Sequence, residues 1–450
     1  MIWRLAWRNL WRNTRRTVLT MTIIAMGLSL LILLASYLVG MSGKLQTQLA
    51  RSSIGHLQVH HPQFRSQRQV DMLIPDASKV VDAMENLPEV EAVRPRITLT
   101  ASIRSSMSST VRIVPLLGVD RNREIGASRT PDQVIDGQYV VRPPEALEPD
   151  APMRHRMRRG ITLGDKLARL LNVGLGSRVR MDMAGLTEAT VSGAWYVTGI
   201  VDTGADSVDQ SIAIVDIAGL QQLLGAGDQV HEISALLYDG AQTDAVVDTI
   251  AGKLASVEVE LRQLELSWAD QMSSDDLQSP THGVLAVESW AAIAPDVKAM
   301  LGMMDMASGF TYALMLILMS SGILTTMFTV VFERRRELGV QSALGSSPWR
   351  IFAGSMTEAV WLAALSVGLG LAVGGVWAWL LTTYGIDLSG MSGNLSAGGL
   401  TIDSVLKGEM TVGVFVEPAM VVFVATMLFA LLPSIRMARM KPVEAMADKG

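Results

Sequence analysis

Three histidines, His56, His60 and His61, fall within one short strand-like stretch. Imidazoles so placed ligate zinc when acids or thiols complete the shell. None stands beside them, so solvated or packed rings are expected and no metal is assigned. Residues 160–166 come nearest to a phosphate-binding loop but lack the second Gly-Lys of G-x-x-x-x-G-K-[ST], so the chain has no Walker motif of its own. There is no G-x-S-x-G and no H-E-x-x-H, which leaves hydrolase chemistry without an anchor. The spacing that does suggest an activity lies in 333–350, and that activity is docking.

The segment 333–350 reads ERRRELGVQSALGSSPWR and joins two long apolar runs, so it forms a loop at a membrane surface. Glu337, Val340 and Leu344 recur at i, i+3 and i+7 with Ala343 beside them, a narrow apolar stripe on a short helix closed by an acid. Gly345-Ser346-Ser347 stops that helix. Ser347 can cap the next one, with Pro348 in its first position, where a missing N–H costs nothing. Gly339 leaves room for another surface to approach. Positive-inside charge alone accounts for Arg334-Arg335-Arg336 as a stop-transfer cluster. It does not account for Glu337, the stripe or the turn, for which the alternative is a knob offered to a cytosolic partner.

On these residues the chain resembles the permease subunits of the FtsX/MacB/LolC-E ABC transporters, the lipoprotein-releasing type. There an R-E-L-G-V-x-x-A-L-G segment couples to the ATPase. Arg336, Glu337, Leu338, Gly339, Val340, Ala343, Leu344 and Gly345 match it, while Ser342 stands where a basic residue is usual. The resemblance implies a cytosolic ABC ATPase dimer on separate chains, holding the ATP and magnesium, with no cofactor on this chain. Gly118-Val119-Asp120, Leu163-Gly164 through Leu167-Ala168, and Gly199 through Asp209 resemble the periplasmic domain of the same permeases. The tail, with Pro442-Val443-Glu444-Ala445-Met446, resembles their short C-terminal segment.

The elements that must position the docking segment follow from composition. Hydrophobic residues make up 49% and mean hydropathy is +0.31, yet 18% of residues are charged, so apolar spans alternate with a sizeable water-soluble part. A net charge of −5 argues against nucleic acid as a partner. The absence of cysteine removes disulfides and thiolate metal sites and suits a domain in an oxidising compartment.

Trp3, Trp7 and Trp11 at four-residue spacing, with arginines between them, predict an interfacial helix over 1–17. A first span follows over 18–41; it is too long for a signal-peptide core. Residues 42–305 read as an α+β domain in two lobes. A helix is expected from Ala77 to Leu87, a hairpin through Ile97–Ile103 and Val111–Leu117, a helix over 161–172, and strands near 179–183, 191–201, 212–215 and 233–237. Helices are expected near 217–224 and 243–254, and loop-like insertions over 142–160 and 264–283. Spans follow over 306–332, 351–384 and 412–433, with a coupling helix at 333–350, an outer loop at 385–411 and a cytoplasmic tail at 434–450. The arginines place both termini in the cytoplasm of an inner-membrane protein and the large domain in the periplasm. The fold class is therefore a four-span α-helical membrane protein with a large α+β extracytoplasmic domain between its first and second spans.

Four spans are too few to enclose a pathway, so a second permease copy or paralogue is expected. Met303, Met304, Phe310, Met315 and Met319 are candidates for a lipid-facing substrate gate, since thioethers adapt to irregular apolar partners. Helix packing is the plainer reading of any one of them. Gly370 and Gly374 form a face for close helix contact, and Glu358, a turn or two inside the cytosolic edge, reads as a structural acid paired with arginine. Two functions remain open: extraction of a lipoprotein or lipid from the outer leaflet, or mechanical driving of a periplasmic partner such as an adaptor or acceptor protein.

Overall fold

A computed structural model describes residues 2–52, 54–105, 110–141, 159–187, 189–240, 243–255, 260–261, 284–387, 396–397, 400–401 and 405–440. The expected insertion 264–283, all but the end of 142–160, and Pro442 to Met446 lie outside them. The chain divides into two compact units, Lys44–Ala299 with Ser392–Asp403, and Met1–Gly43 with Met300–Met391 and Ser404–Gly450.

Helix α1 (Ile2–Leu10) leads through a 3-10 turn into α2 (Thr14–Ala50). The expected span is only the centre of α2. No proline interrupts the helix, and 37 residues at ~1.5 Å each exceed the ~30 Å of a hydrocarbon core.

The α+β unit runs β1 (Leu57–His60), α3 (Ala77–Glu85), β2 (Val90–Ser105), β3 (Val111–Val119), β4 (Val134–Gly137), β5 (Gly160–Gly164) and α4 (Asp165–Leu171). It continues β6 (Arg178–Ala184), β7 (Thr190–Val201), β8 (Ala213–Asp216), α5 (Ile217–Leu224), β9 (Glu232–Leu237), α6 (Thr243–Ala255), β10 (Glu260–Leu261) and β11 (Val284–Ser289). The helix expected over 161–172 begins four residues late, because β5 is a fully buried strand laddered between β7 and β8. A Cβ on Gly164 would sit 2.2 Å from the Asp209 carbonyl oxygen, so the strand ends where nothing larger than glycine fits.

One sheet carries both halves of this unit. Strands β1, β2, β9 and β11 pair in the order β11-β1-β9-β2, with α3 and α6 in the two crossovers, the β-α-β-β-α-β layout of a ferredoxin-like fold. The chain between β2 and β9 forms the other half. There the pairings β2-β3, β3-β8, β8-β5, β5-β7, β7-β6 and β6-β2 close a six-stranded barrel. Its buried residues come from every strand: Ile103, Leu116, Leu163, Met181, Trp195 and Val215 all join one core cluster. The 16-residue β2 serves both halves, pairing with β9 over Val90–Arg96 and with β3 over Arg96–Arg104.

His231 stands just before β9, fully buried and stacked on Phe64 with ring centroids 4.8 Å apart. Burial lowers its pKa to about 4, only partly opposed by the hydrogen bond to the Val70 carbonyl. The unfolded chain takes up a proton near pH 6.5 and the fold does not, so stability is full above that value and falls as pH drops toward 4. Between pH 7 and pH 5 the loss is ~2 kcal/mol. Denaturant unfolding of the full chain at the two pH values measures it, and His231→Gln should flatten the dependence.

The second unit continues with α7 (Pro295–Glu333), α8 (Arg335–Ala343), α9 (Pro348–Tyr384) and α10 (Val412–Ala438). Helices α2, α7, α9 and α10 are long and apolar enough to cross a membrane. A Cβ on Gly370 would meet Leu28 at 2.8 Å, and one on Gly374 would meet Ile32 at 2.7 Å and the Ser29 backbone at 3.2 Å, so α9 lies against α2 along its small-residue face. Hydroxyl pairs cross between helices at Thr20–Thr326 (2.8 Å) and Ser355–Ser434 (2.9 Å). Gly374→Val should pry α9 from α2 at a cost of about 1–3 kcal/mol, the usual range for overpacking. A lowered melting temperature of the detergent-solubilised chain checks it.

Candidate functional site: a charged junction around helix α8

Helix α7 ends at Glu333, and Arg334 breaks the helix with φ −96° and ψ 6° before α8 begins. The far end of α8 closes by a glycine-based motif. Gly345 adopts φ +86°, its N–H reaches the Ser342 carbonyl at 3.1 Å, and the Ser346 N–H reaches Gln341 at 3.0 Å. The turn chemistry read from Gly345-Ser346-Ser347 is thus in place, with Pro348 opening α9. Ser347 holds the N-cap position with an extended backbone, but its side chain makes no capping bond; its carbonyl accepts from Arg350 instead, at 2.9 Å.

Three ion pairs hold α8 and its entry, two of them from the N-terminal segment and one from α9. Arg12 grips Glu337 with both guanidinium nitrogens, at 2.5 and 3.1 Å, and Arg16 meets Glu333 at 2.6 Å. Arg334 meets both oxygens of Glu358 on α9, at 2.8 and 3.1 Å. Asn9 donates to the same carboxylate at 2.9 Å, so α1, the α7–α8 break and α9 converge on one acid. The structural reading of Glu358 fits this arrangement. The Arg12 hydrogen bond, with its charge, holds the Glu337 carboxyl below its usual pKa. Around the junction Trp361 of α9 packs edge-on against Trp3 and Trp7, centroids 5.7 and 4.9 Å away.

Glu337 therefore bonds within the chain and does not close an outward-facing stripe. Gly339 is buried and Leu338 half-buried, whereas Arg336, Val340, Ala343, Leu344 and Gly345 are exposed. Leu344 is 83% exposed and Trp349, the second residue of α9, 72%. Asn9, Arg12 and Arg16 belong to this junction; the sequence marks Arg12 and Arg16 only as water-facing arginines of the interfacial helix, and nothing in it points to Asn9.

The five gate candidates separate. Met303 and Phe310 are exposed and Met304 and Met315 half-buried. Met319 is only 4% exposed and covers Gly27 of α2, where an added Cβ would lie 2.5 Å from the Met319 sulfur. Its thioether fills the groove that this glycine leaves, so Met319 is a packing residue and not part of an exposed face. The histidines are likewise accounted for. His60 lies 3.4 Å from Glu288, His56 accepts from the Leu237 N–H at 2.9 Å, and among the described residues no cluster could hold a metal ion.

Residues 17–253, more than half of the chain, match the family model of the MacB-like periplasmic core domain, and residues 309–442 match that of the FtsX-like permease C-terminal region. The chain belongs to the FtsX/MacB family of ABC transporter permeases. Among relatives, it is 33% identical over 127 residues to the macrolide export ATP-binding/permease protein MacB of Nitrobacter winogradskyi, a stretch covering 28% of this chain and 17% of that protein. Among solved structures, the extracellular domain of the ABC-type transporter YknZ from Gram-positive bacteria is 13% identical, with a TM-score of 0.31, over 45% of this chain and 94% of that one. The periplasmic region of MacB from Actinobacillus actinomycetemcomitans is 11% identical, with a TM-score of 0.32, over 54% and 92%. As an FtsX/MacB-type permease, the chain has the four apolar helices and the α+β domain of an inner-membrane protein with a periplasmic domain, and α8 lies within the permease match.

Proposed function

We propose that this chain is the permease subunit of an ABC transporter in which a separate cytosolic ATPase dimer drives extraction or export of a hydrophobic substrate, a lipoprotein or lipid, on the periplasmic side. One observation carries the reading. Helix α8 is pinned from behind by Arg12, Arg16 and Arg334 while Val340, Leu344 and Trp349 stand in solvent, which is the form of a rigid apolar knob awaiting a socket. A short helix fixed at three points passes a push into the helices that hold it, where a loose loop would absorb the push. Both termini and α8 lie in the cytoplasm, the α+β domain lies in the periplasm, and a second permease copy or paralogue completes the pathway. Met303 and Phe310, exposed on α7, supply an apolar face for an acyl chain; Met319 does not.

The natural chain has no cysteine, so Leu344→Cys introduces a single addressable thiol. In intact cells we expect that thiol to be shielded from a membrane-impermeant maleimide, and in inverted vesicles to cross-link to the ATPase subunit in a nucleotide-dependent way. Labelling from outside the intact cell would overturn the assignment.

A further inference from the structure

Strand alternation gives the ferredoxin-like half of the α+β unit two different faces. Val59, Val93 and Ile233 point into the core cluster, while Gln58, Arg96 and Glu232 point the other way. That second face, together with Leu117 of β3 and Ile212 beside β8, borders a cavity of about 500 Å³. The volume falls in the range of small-molecule sites, about 300–1,000 Å³.

The lining is strongly basic. Five arginines, Arg51, Arg65, Arg68, Arg96 and Arg129, face it against two acids, Glu124 and Glu232. Arg96 is paired with Glu124 at 2.7 Å and Arg65 with Glu288 at 3.1 Å. Arg51 and Arg68, both exposed at the cavity, have no side-chain hydrogen bond or ion pair among the described residues. Arg68 also holds φ +48°, a left-handed conformation costly for any residue with a Cβ. Burial raises the Glu232 carboxyl pKa against the pull of the Arg96, His60 and Arg68 charges, and its hydrogen bond from Thr98 is long, at 3.4 Å. Phe64, Leu117, Tyr139 and Ile212 give the wall an apolar stretch among uncharged polar residues such as Gln58, Thr98 and Gln133.

We propose that this cavity binds an amphipathic organic anion, a carboxylate or phosphate ester with an apolar body, whose charged group is held by Arg51 and Arg68 and whose body lies on Phe64, Leu117 and Ile212. Guanidinium groups favour such oxyanions through forked, charge-assisted hydrogen bonds. An excess of cations beside low-dielectric walls disfavours a neutral or cationic guest of the same shape. The proposal is independent of how α8 is used.

The test uses the full chain in lipid nanodiscs with four water-soluble probes: phenyl phosphate, 4-phenylbutyrate, benzyl alcohol and benzylamine. Calorimetry should show saturable binding of the two anions, at least tenfold tighter than that of the alcohol or the amine. Hydrogen exchange should slow in 124–139 and 203–214. Arg51→Ala with Arg68→Ala should weaken anion binding at least tenfold. Both side chains are exposed, so the melting temperature should hold, and Arg68→Gln alone should give an intermediate loss should the pair misfold. Equal affinity for benzylamine, unchanged affinity in the arginine variants, or no saturable anion binding at millimolar concentration would overturn the proposal. Native mass spectrometry distinguishes the sources. A phospholipid retained by the natural chain and absent from the double variant makes the anion a lipid headgroup; an empty chain that still takes up phenyl phosphate makes it a soluble solute. Either result supports the site.

Discussion

Leu344→Asp is expected to weaken association with the ATPase by at least a hundredfold while leaving membrane insertion and folding intact. Leu344 is 83% exposed, so its replacement removes no internal packing. Seating a leucine in a partner's socket contributes ~1.5–3 kcal/mol, and a carboxylate there must also be desolvated, so a loss of ~3 kcal/mol or more is a conservative sum. Co-purification of the ATPase and permease-stimulated ATP hydrolysis should both collapse, and the melting temperature of the isolated permease should not move. Undiminished association would show that the knob is not the contact. Glu337→Lys is the less informative change. It would place a lysine opposite Arg12 and beside Arg334, loosening α8 from its own chain, so a loss of coupling would not separate docking from support.

The contrast between these two residues shows what could be read from sequence. Spacing identified α8, its glycine stop and Pro348, because those features depend on residues within one or two helical turns. The same holds for the β2–β3 hairpin, where Ile97, Leu99, Ala101 and Ile103 alternate with exposed or half-buried partners. The direction of Glu337 depends on Arg12, 325 residues away in the chain, and no local pattern carries that information. Strand β5 was missed for a related reason. Leu163, Leu167, Ala168 and Leu171 have helical spacing, but Ile161 and Leu163 also stand two apart as in a strand, and their burial between β7 and β8 decides for the strand. The barrel closure and the cavity are more remote still from sequence, since both arise from strand pairings that skip along the chain. One signal was present. Arg94 and Arg96 fall inside a strand that is otherwise apolar or small at its buried positions, and charges so placed require partners of their own.

Those partners underlie the largest stability effect. Glu124→Leu should destabilise the α+β unit by about 3–5 kcal/mol, because it strips the buried Arg96 guanidinium of its hydrogen-bonded carboxylate and leaves the more weakly coupled Glu232 charge to oppose it. The pair is 1% and 2% exposed and doubly bonded, Arg96 Nε to Glu124 Oε1 at 2.8 Å and a terminal nitrogen to the same oxygen at 2.7 Å. The loop bearing Glu124 has a second tie two residues back along β2. Arg94 donates to the Ala127 carbonyl at 3.1 Å and also to Ala50 and Ser52, at 2.9 and 3.1 Å, so it supplies the donors that the last carbonyls of α2 lack. Loss of Glu124 should therefore also loosen Ala127, and hydrogen exchange should quicken in 121–130 and at the end of α2 together. A double variant, Arg96→Met with Glu124→Leu, separates charge from packing. It removes both ions and keeps the volume apolar, so most of the stability should return; a double variant as weak as Glu124→Leu alone would place the cost in lost packing and not in the stranded charge.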